Sequence, residues 1–217
     1  MFSDLQSKKK FIYIGTLLIL TNLGAEDFWS RAMDIHYRHR VSFFNSIKIK
    51  QGSKIFIGDS ITEQCNWNEL FNDGSLINRG IGGDVTEKTL KRLDFLENTE
   101  PSTIFLQIGT NDISQNKPVE QIADNYKKIV QKILTLLPNV QIYVQSVLPI
   151  NQDLFLIRKE NYNNENIDLL NNMIKKLEGG NIKYLDLNKH FKDSEGNLSK
   201  EYSSDGLHLN GSGYQRW

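Results

Sequence analysis

Cysteine is almost missing from this chain of 217 residues, with Cys65 the only one. No intrachain disulfide framework and no cysteine-based zinc site can form. Cys65 itself reads as a partly buried, inert thiol rather than a nucleophile. An excess of either charge is missing too, because 26 basic and 26 acidic residues leave the formal net charge at zero. Without a basic face, a nucleic-acid partner has no electrostatic support. The pairs Lys127-Lys128 and Lys175-Lys176 fall on helix-like stretches and read as solvated faces. Internal repeats and low-complexity linkers are also lacking, which leaves no domain boundary after the N-terminal leader.

That leader has three parts. Lys8-Lys9-Lys10 precedes the apolar stretch Phe11 to Leu20, and Thr21 to Ala25 leads to acidic Glu26-Asp27. A basic segment, an apolar segment and small residues before a polar start describe a secretory signal peptide. The apolar stretch is short for a bilayer span. Residues 1–25 are therefore expected to be a signal peptide, with an uncleaved membrane anchor as the alternative, and residues 26–217 to be one domain. The expected location is the periplasm or exterior, and membrane contact would come only through an uncleaved leader.

Between Phe28 and Ile47, Trp29, Met33, Tyr37, Val41 and Phe44 recur every three or four residues, the spacing of one helix face. Strand-like runs follow at Lys54–Gly58, Leu76–Asn78, Thr103–Ile108, Gln141–Ser146 and Ile182–Asp186. Helical patterns separate most of them: Thr86 to Leu96, with Thr86 as N-cap, Val119 to Leu137, and Asn164 to Leu177. Alternating strands and helices with mostly apolar strands predict an α/β fold. The expected architecture is a three-layer α/β/α sandwich around a central, mostly parallel five-stranded sheet.

The chemistry lies where the strands end. The first strand stops at Gly58-Asp59-Ser60, and near the C-terminus Asp205-Gly206-Leu207-His208 offers a carboxylate and an imidazole three residues apart. A serine hydroxyl needs a base to remove its proton, and the base needs a third group to fix its tautomer. Ser60, His208 and Asp205 fit those roles as nucleophile, base and orienting acid. Asn78 to Asp84 and Leu106 to Asp112 place glycines and an amide past two further strand ends, the edge where open α/β sheets bind ligands. The Ser60 N–H, the Gly83 N–H and the Asn111 side chain would make a three-donor oxyanion hole.

Four blocks in order, GDS at Gly58–Ser60, the glycine run ending at Gly83, GTND at Gly109–Asp112 and DxxH at Asp205–His208, resemble the SGNH (GDSL-type) hydrolase superfamily. The resemblance covers about residues 50 to 217. It implies a flavodoxin-like fold, the same five residues in the roles given, and hydrolysis of esters or thioesters without a metal or other cofactor. Leu209 to Tyr214 resembles the start of the helix that follows DxxH in that family, here cut short at Trp217. The α/β-hydrolase elbow G-x-S-x-G is excluded, because Thr62 stands two residues after Ser60.

The segments around Ser60 and Asn78–Thr86 resemble the acetylhydrolase and carbohydrate O-acetylesterase branch. A small-molecule or carbohydrate ester carrying a short acyl group, such as acetyl, is the expected substrate. A lysophospholipase or thioesterase and a silent carbohydrate- or lipid-binding module are the alternatives. Leu154-Phe155-Leu156-Ile157 is a candidate acyl wall, or simply core. Arg79 either binds a substrate carboxylate or pairs with an acidic neighbour. Asp59, Asp84 and Asp112 read as structural hydrogen-bonding groups, and His36, His39 and His190 as structural or exposed. The sequence leaves oligomeric state open.

Overall fold

The computed structural model describes residues 28–155 and 161–217. The leader therefore lies outside the described residues, as do Leu156 and Ile157. The chain divides into two compact units, Met1–His39 and Arg40–Trp217. Residues 28–39 of the first unit are helical, and in the second unit helix α1 covers residues 40–46. In the first unit, Phe28 and Trp29 meet edge to face at 5.8 Å and Arg38 pairs with Asp34 at 3.0 Å.

In the second unit the order is β1 (Lys54–Gly58), α2 (Ser60–Glu63), α3 (Trp67–Leu70), β2 (Leu76–Gly80), α4 (Thr86–Lys91), β3 (Thr103–Gln107), α5 (Thr110–Ser114), α6 (Val119–Leu136), β4 (Gln141–Gln145), α7 (Asn164–Ile174), β5 (Ile182–Leu185) and α8 (Gly211–Arg216). The five strands form one sheet in the order β2-β1-β3-β4-β5, and every pairing is parallel. Crossover helices cover both faces, so the strands are apolar without simple alternation. Ile55, Ile57, Ile104, Leu106, Ile142 and Val144 are all buried.

The register explains an aromatic ladder. Phe56 sits opposite Phe105, and Phe105 opposite Tyr143. Their rings stack at 4.6 and 5.1 Å, and Trp67 stacks on Phe56 at 3.9 Å. Trp217 meets Trp67 edge to face at 5.1 Å, so the last turn of the chain seals this layer. Helix α6 buries Ile122, Tyr126, Ile129, Val130 and Ile133, the three- and four-residue spacing of one face.

Two expected helices differ. The stretch from Asn164 to Leu177 is α-helical to Ile174 and continues as a 3₁₀ turn over Lys175–Leu177. The stretch from Thr86 to Leu96 breaks into α4 and a 3₁₀ turn at Leu93–Leu96, with Val85 rather than Thr86 at the N-cap. The cap comes from elsewhere: Asp112 accepts both the Thr86 N–H and the Thr86 hydroxyl at 2.8 Å. A carboxylate at a helix start offsets the unpaired N–H groups and the positive end of the helix dipole. The break falls at Arg92, whose side chain is drawn into a buried pair with Asp84 at 2.7 Å.

Candidate active site

Strand β1 lies between β2 and β3, and Gly58 is level with Gly80 on one side and Gln107 on the other. The segments carrying Ser60, Gly83 and Asn111 therefore leave three neighbouring strands at the same carboxyl edge. Ser60 opens α2. The Asp59 side chain caps this helix, accepting the Ile61 N–H at 3.0 Å. Asp59 is a structural group, as its place in the sequence indicates. Burial, with smaller contributions from the Asp84 and Asp112 charges, pushes its carboxyl up to about 7.

The structure brings Ser60, His208 and Asp205 together across 148 residues of sequence. Ser60 Oγ lies 2.9 Å from His208 Nε2, and His208 Nδ1 lies 2.7 Å from Asp205 Oδ2. Burial alone would raise the Asp205 carboxyl. The His208 side chain and the N–H groups of Leu207 and His208 outweigh it and hold the carboxyl below its usual value. An ionised Asp205 only accepts, so His208 donates from Nδ1, and Nε2 is left to accept the serine proton. The loop geometry is local. Asp205 Oδ1 accepts the N–H of Leu207 at 2.9 Å and of His208 at 2.8 Å. Gly206 has φ +83, and its carbonyl accepts the Asn151 N–H at 2.9 Å, which pins the loop to the segment after β4. A side chain there would meet both the strained backbone angle and the Asn151 carbonyl.

The oxyanion candidates are arranged around the serine's strand. Gly83 takes φ +72 in the turn after β2. Among the described residues, neither the Gly83 N–H nor the Ser60 N–H has a protein acceptor. Asn111 Nδ2 donates to the Asp84 carbonyl at 2.9 Å, which fixes the amide and leaves its second hydrogen for a ligand. Asp84 and Asp112 serve as structural groups. Asp84 accepts from Val85, Thr89 and Arg92, and Asp112 from Thr86 and Lys117.

Arg79 does not take either expected role. It is 4% exposed, and its guanidinium lies 4.8 Å from the Phe44 ring centroid and 5.7 Å from that of Phe95. Its described hydrogen bond goes to the Asn78 carbonyl, and among the described residues its Nε and Nη2 have no partner. Burial, with the neighbouring Arg40 and Arg92 charges, lowers its pKa to about 10, so it stays charged at neutral pH. Alternation along β2 explains the outcome: Asn78 and Arg79 face opposite sides of the sheet.

Cys65 is buried, and burial pushes its thiol up to about 11, which makes it inert. His190 is exposed. Leu154 packs at Gly206, and Phe155 stacks on Tyr162, whose hydroxyl meets that of Thr110 at 2.7 Å.

Sequence reasoning missed a set of amides that hold this edge. Asn78 Nδ2 reaches the carbonyls of Thr62, Glu63 and Cys65 at 2.9–3.0 Å. Asn171 bonds both the N–H and the carbonyl of Val147, and Asn188 bonds the same carbonyl. The abundance of asparagine was the available signal, but no spacing rule links an amide to a distant loop.

The GDSL-like Lipase/Acylhydrolase family model matches residues 56–216. The chain is 33% identical over 192 residues to the rat platelet-activating factor acetylhydrolase IB subunit alpha1, covering 85% of this chain and 78% of that protein. It is 33% identical over 201 residues to the human alpha2 subunit, covering 90% and 82%. A solved structure from Streptococcus pneumonia, named only provisionally as a platelet activating factor, superposes with a TM-score of 0.80 at 32% identity. That match covers 88% of this chain and 94% of the other.

Proposed function

The chain belongs to the GDSL-like lipase/acylhydrolase family and is a carboxylic ester hydrolase, and from that premise we propose that it removes short acyl groups, acetyl foremost, through an acyl-enzyme on Ser60. The observation that carries this reading is the unbroken relay from Ser60 through His208 to Asp205 at 2.9 and 2.7 Å.

Ser60 Oγ attacks the ester carbonyl as His208 Nε2 takes its proton. Asp205 holds the imidazole in the required tautomer and stabilises the imidazolium that forms. The N–H groups of Ser60 and Gly83 and the Asn111 amide receive the negative charge on the carbonyl oxygen of the tetrahedral intermediate. His208 then protonates the leaving alcohol, and the acyl group stays on Ser60. Water enters, gives a proton to His208 and attacks the acyl carbon; as the bond to Ser60 breaks, His208 returns that proton to Ser60 Oγ and the carboxylic acid leaves.

Two points support a short acyl group. The curated relatives of about one-third identity are named acetylhydrolases. Of the expected acyl wall, Phe155 already stacks on Tyr162.

Hydrolysis of p-nitrophenyl acetate, octanoate and longer esters, with Ser60→Ala as control, tests this reading. The expected result is a strong preference for acetate that disappears in the variant. A preference for long chains would replace the short-acyl reading with a lipid esterase. Hydrolysis that survives Ser60→Ala would remove Ser60 from the mechanism, and no Ser60-dependent turnover of any ester would point to a silent module.

A further inference from the structure

We infer that Arg92, which touches neither Ser60, His208 nor Asp205, is a positioning residue that sets the geometry of the oxyanion hole, an inference that rests on the esterase reading above. Arg92 is 3% exposed and lies at the break between α4 and the following 3₁₀ turn. Its guanidinium bonds two separate segments. Nε donates to Asp84 Oδ2 at 2.7 Å, and Nη2 donates to the Gly58 carbonyl at 3.1 Å.

Both ends of that clamp lead to the site. Gly58 is two residues before Ser60, and its carbonyl also accepts the Ile81 N–H, at the start of the loop that carries Gly83. Asp84 follows Gly83 directly, and its carbonyl holds the Asn111 amide at 2.9 Å. One buried cation thus joins the nucleophile's strand, the Gly83 turn and, through Asp84, the Asn111 donor. A bidentate guanidinium suits this task, because its planar fork fixes two acceptors at once, whereas an ammonium is a point charge on a flexible stem. The arrangement has consequences for rate because oxyanion donors act only when held at the position the charge will occupy.

Arg92 also marks the end of α4, where its backbone takes φ −100 and ψ 15.

A double-mutant cycle between Arg92→Met and Asn111→Ala tests the inference. Arg92→Met keeps much of the side-chain volume and its packing toward Phe44 but removes both bonds. Arg92→Lys can still reach Asp84 as a cation without spanning to Gly58. Leu93→Ala, a buried neighbour that touches neither acceptor, controls for lost stability. All are assayed well below their unfolding temperatures.

We expect Arg92→Met to lower kcat about 10–100-fold with KM within about twofold, Arg92→Lys to fall between it and wild type, and Leu93→Ala to keep its kcat. Asn111→Ala should already contain most of the loss, so adding Arg92→Met to it should cost less than about threefold more. Wild-type kcat in both Arg92 variants, or losses that multiply fully with Asn111→Ala, would overturn the inference. If Arg92→Met fails to fold, the same cycle run with Arg92→Lys decides it. Failure of the esterase reading shows separately, as wild-type hydrolysis that does not depend on Ser60.

Discussion

The Tyr214 hydroxyl donates to the Ile61 carbonyl across 2.7 Å, which ties α8 to the turn that follows Ser60. Ile61 is buried in a cluster with Leu148, Phe191, Leu198 and Leu209, and Tyr214 and Trp217 pack against it. Through Tyr214 and Trp217, α8 is held against this cluster.

Tyr214→Phe removes that bond and leaves the ring in place. The expected cost is about 1 kcal/mol of stability, the net value of one hydrogen bond. Thermal unfolding monitored by circular dichroism would read it as a drop of several degrees. Because Ser60 opens the same short helix, kcat should fall a few-fold as well. An unchanged melting temperature would show that the contact carries no weight.

Asp205→Asn should keep the loop but lose the tautomer. An asparagine offers His208 both a donor and an acceptor, so the imidazole no longer has to present Nε2 as an acceptor. The expected loss is about 10³–10⁴ in kcat on p-nitrophenyl acetate, with KM little changed. A loss of less than about tenfold would mean that Asp205 only shapes the loop.

Asp59→Asn should flatten the pH dependence of stability. The folded state holds the Asp59 carboxyl near 7, against 3.8 for the free group. Between about pH 4 and 7 the unfolded chain releases this proton while the folded chain keeps it. Stability therefore falls as pH rises through that window, and the cost stays in full above pH 7. Asparagine still accepts the Ile61 N–H and carries no charge. Urea unfolding at pH 5 and pH 8 should show the variant gaining on wild type at pH 8 by on the order of 2 kcal/mol. A gain that is equal at both pH values would rule out the titration.

Arg79→Met should leave KM for neutral esters and for esters bearing a carboxylate unchanged within about twofold, since the guanidinium is buried against Phe44 and Phe95. Stability should stay within about 1 kcal/mol or rise, because a buried cation with no carboxylate partner among the described residues is replaced by an apolar side chain of similar length. A tenfold rise in KM confined to the carboxylate-bearing ester would restore the substrate-binding role.

Much of this molecule was legible in its sequence because the signals were short-range. The apolar runs of β1 and β3 ended beside Gly-Asp-Ser and Gly-Thr-Asn-Asp, and a strand end with small residues is enough to mark a ligand edge in an α/β sheet. The spacing of Ile122, Tyr126, Ile129 and Ile133 marked α6 almost to the residue. Asp205 and His208, three apart, carried their own geometry, since Oδ1 takes the backbone N–H groups of the same loop and Oδ2 takes the imidazole. Arg79 failed the same kind of reading. Its place in the loop sequence suggested the pocket, while its place in the pleat of β2 sent it to the other face.

Sequence by itself determined the order of strands and helices, the parallel class of the sheet and the residue types able to carry acyl transfer, because each follows from local periodicity or from chemistry within a few residues. Tertiary structure alone decided the rest. It set the strand order that makes Ser60, Gly83 and Asn111 neighbours and the 2.9 Å approach of Ser60 to His208. It recruited Asp112 to cap α4 and placed Arg92, at the end of that helix, within reach of Gly58. The physical reason is the same in each case. Most buried polar groups find a partner wherever the fold supplies one, and for Asp112 and Arg92 that partner lies tens of residues away, beyond the reach of any local pattern.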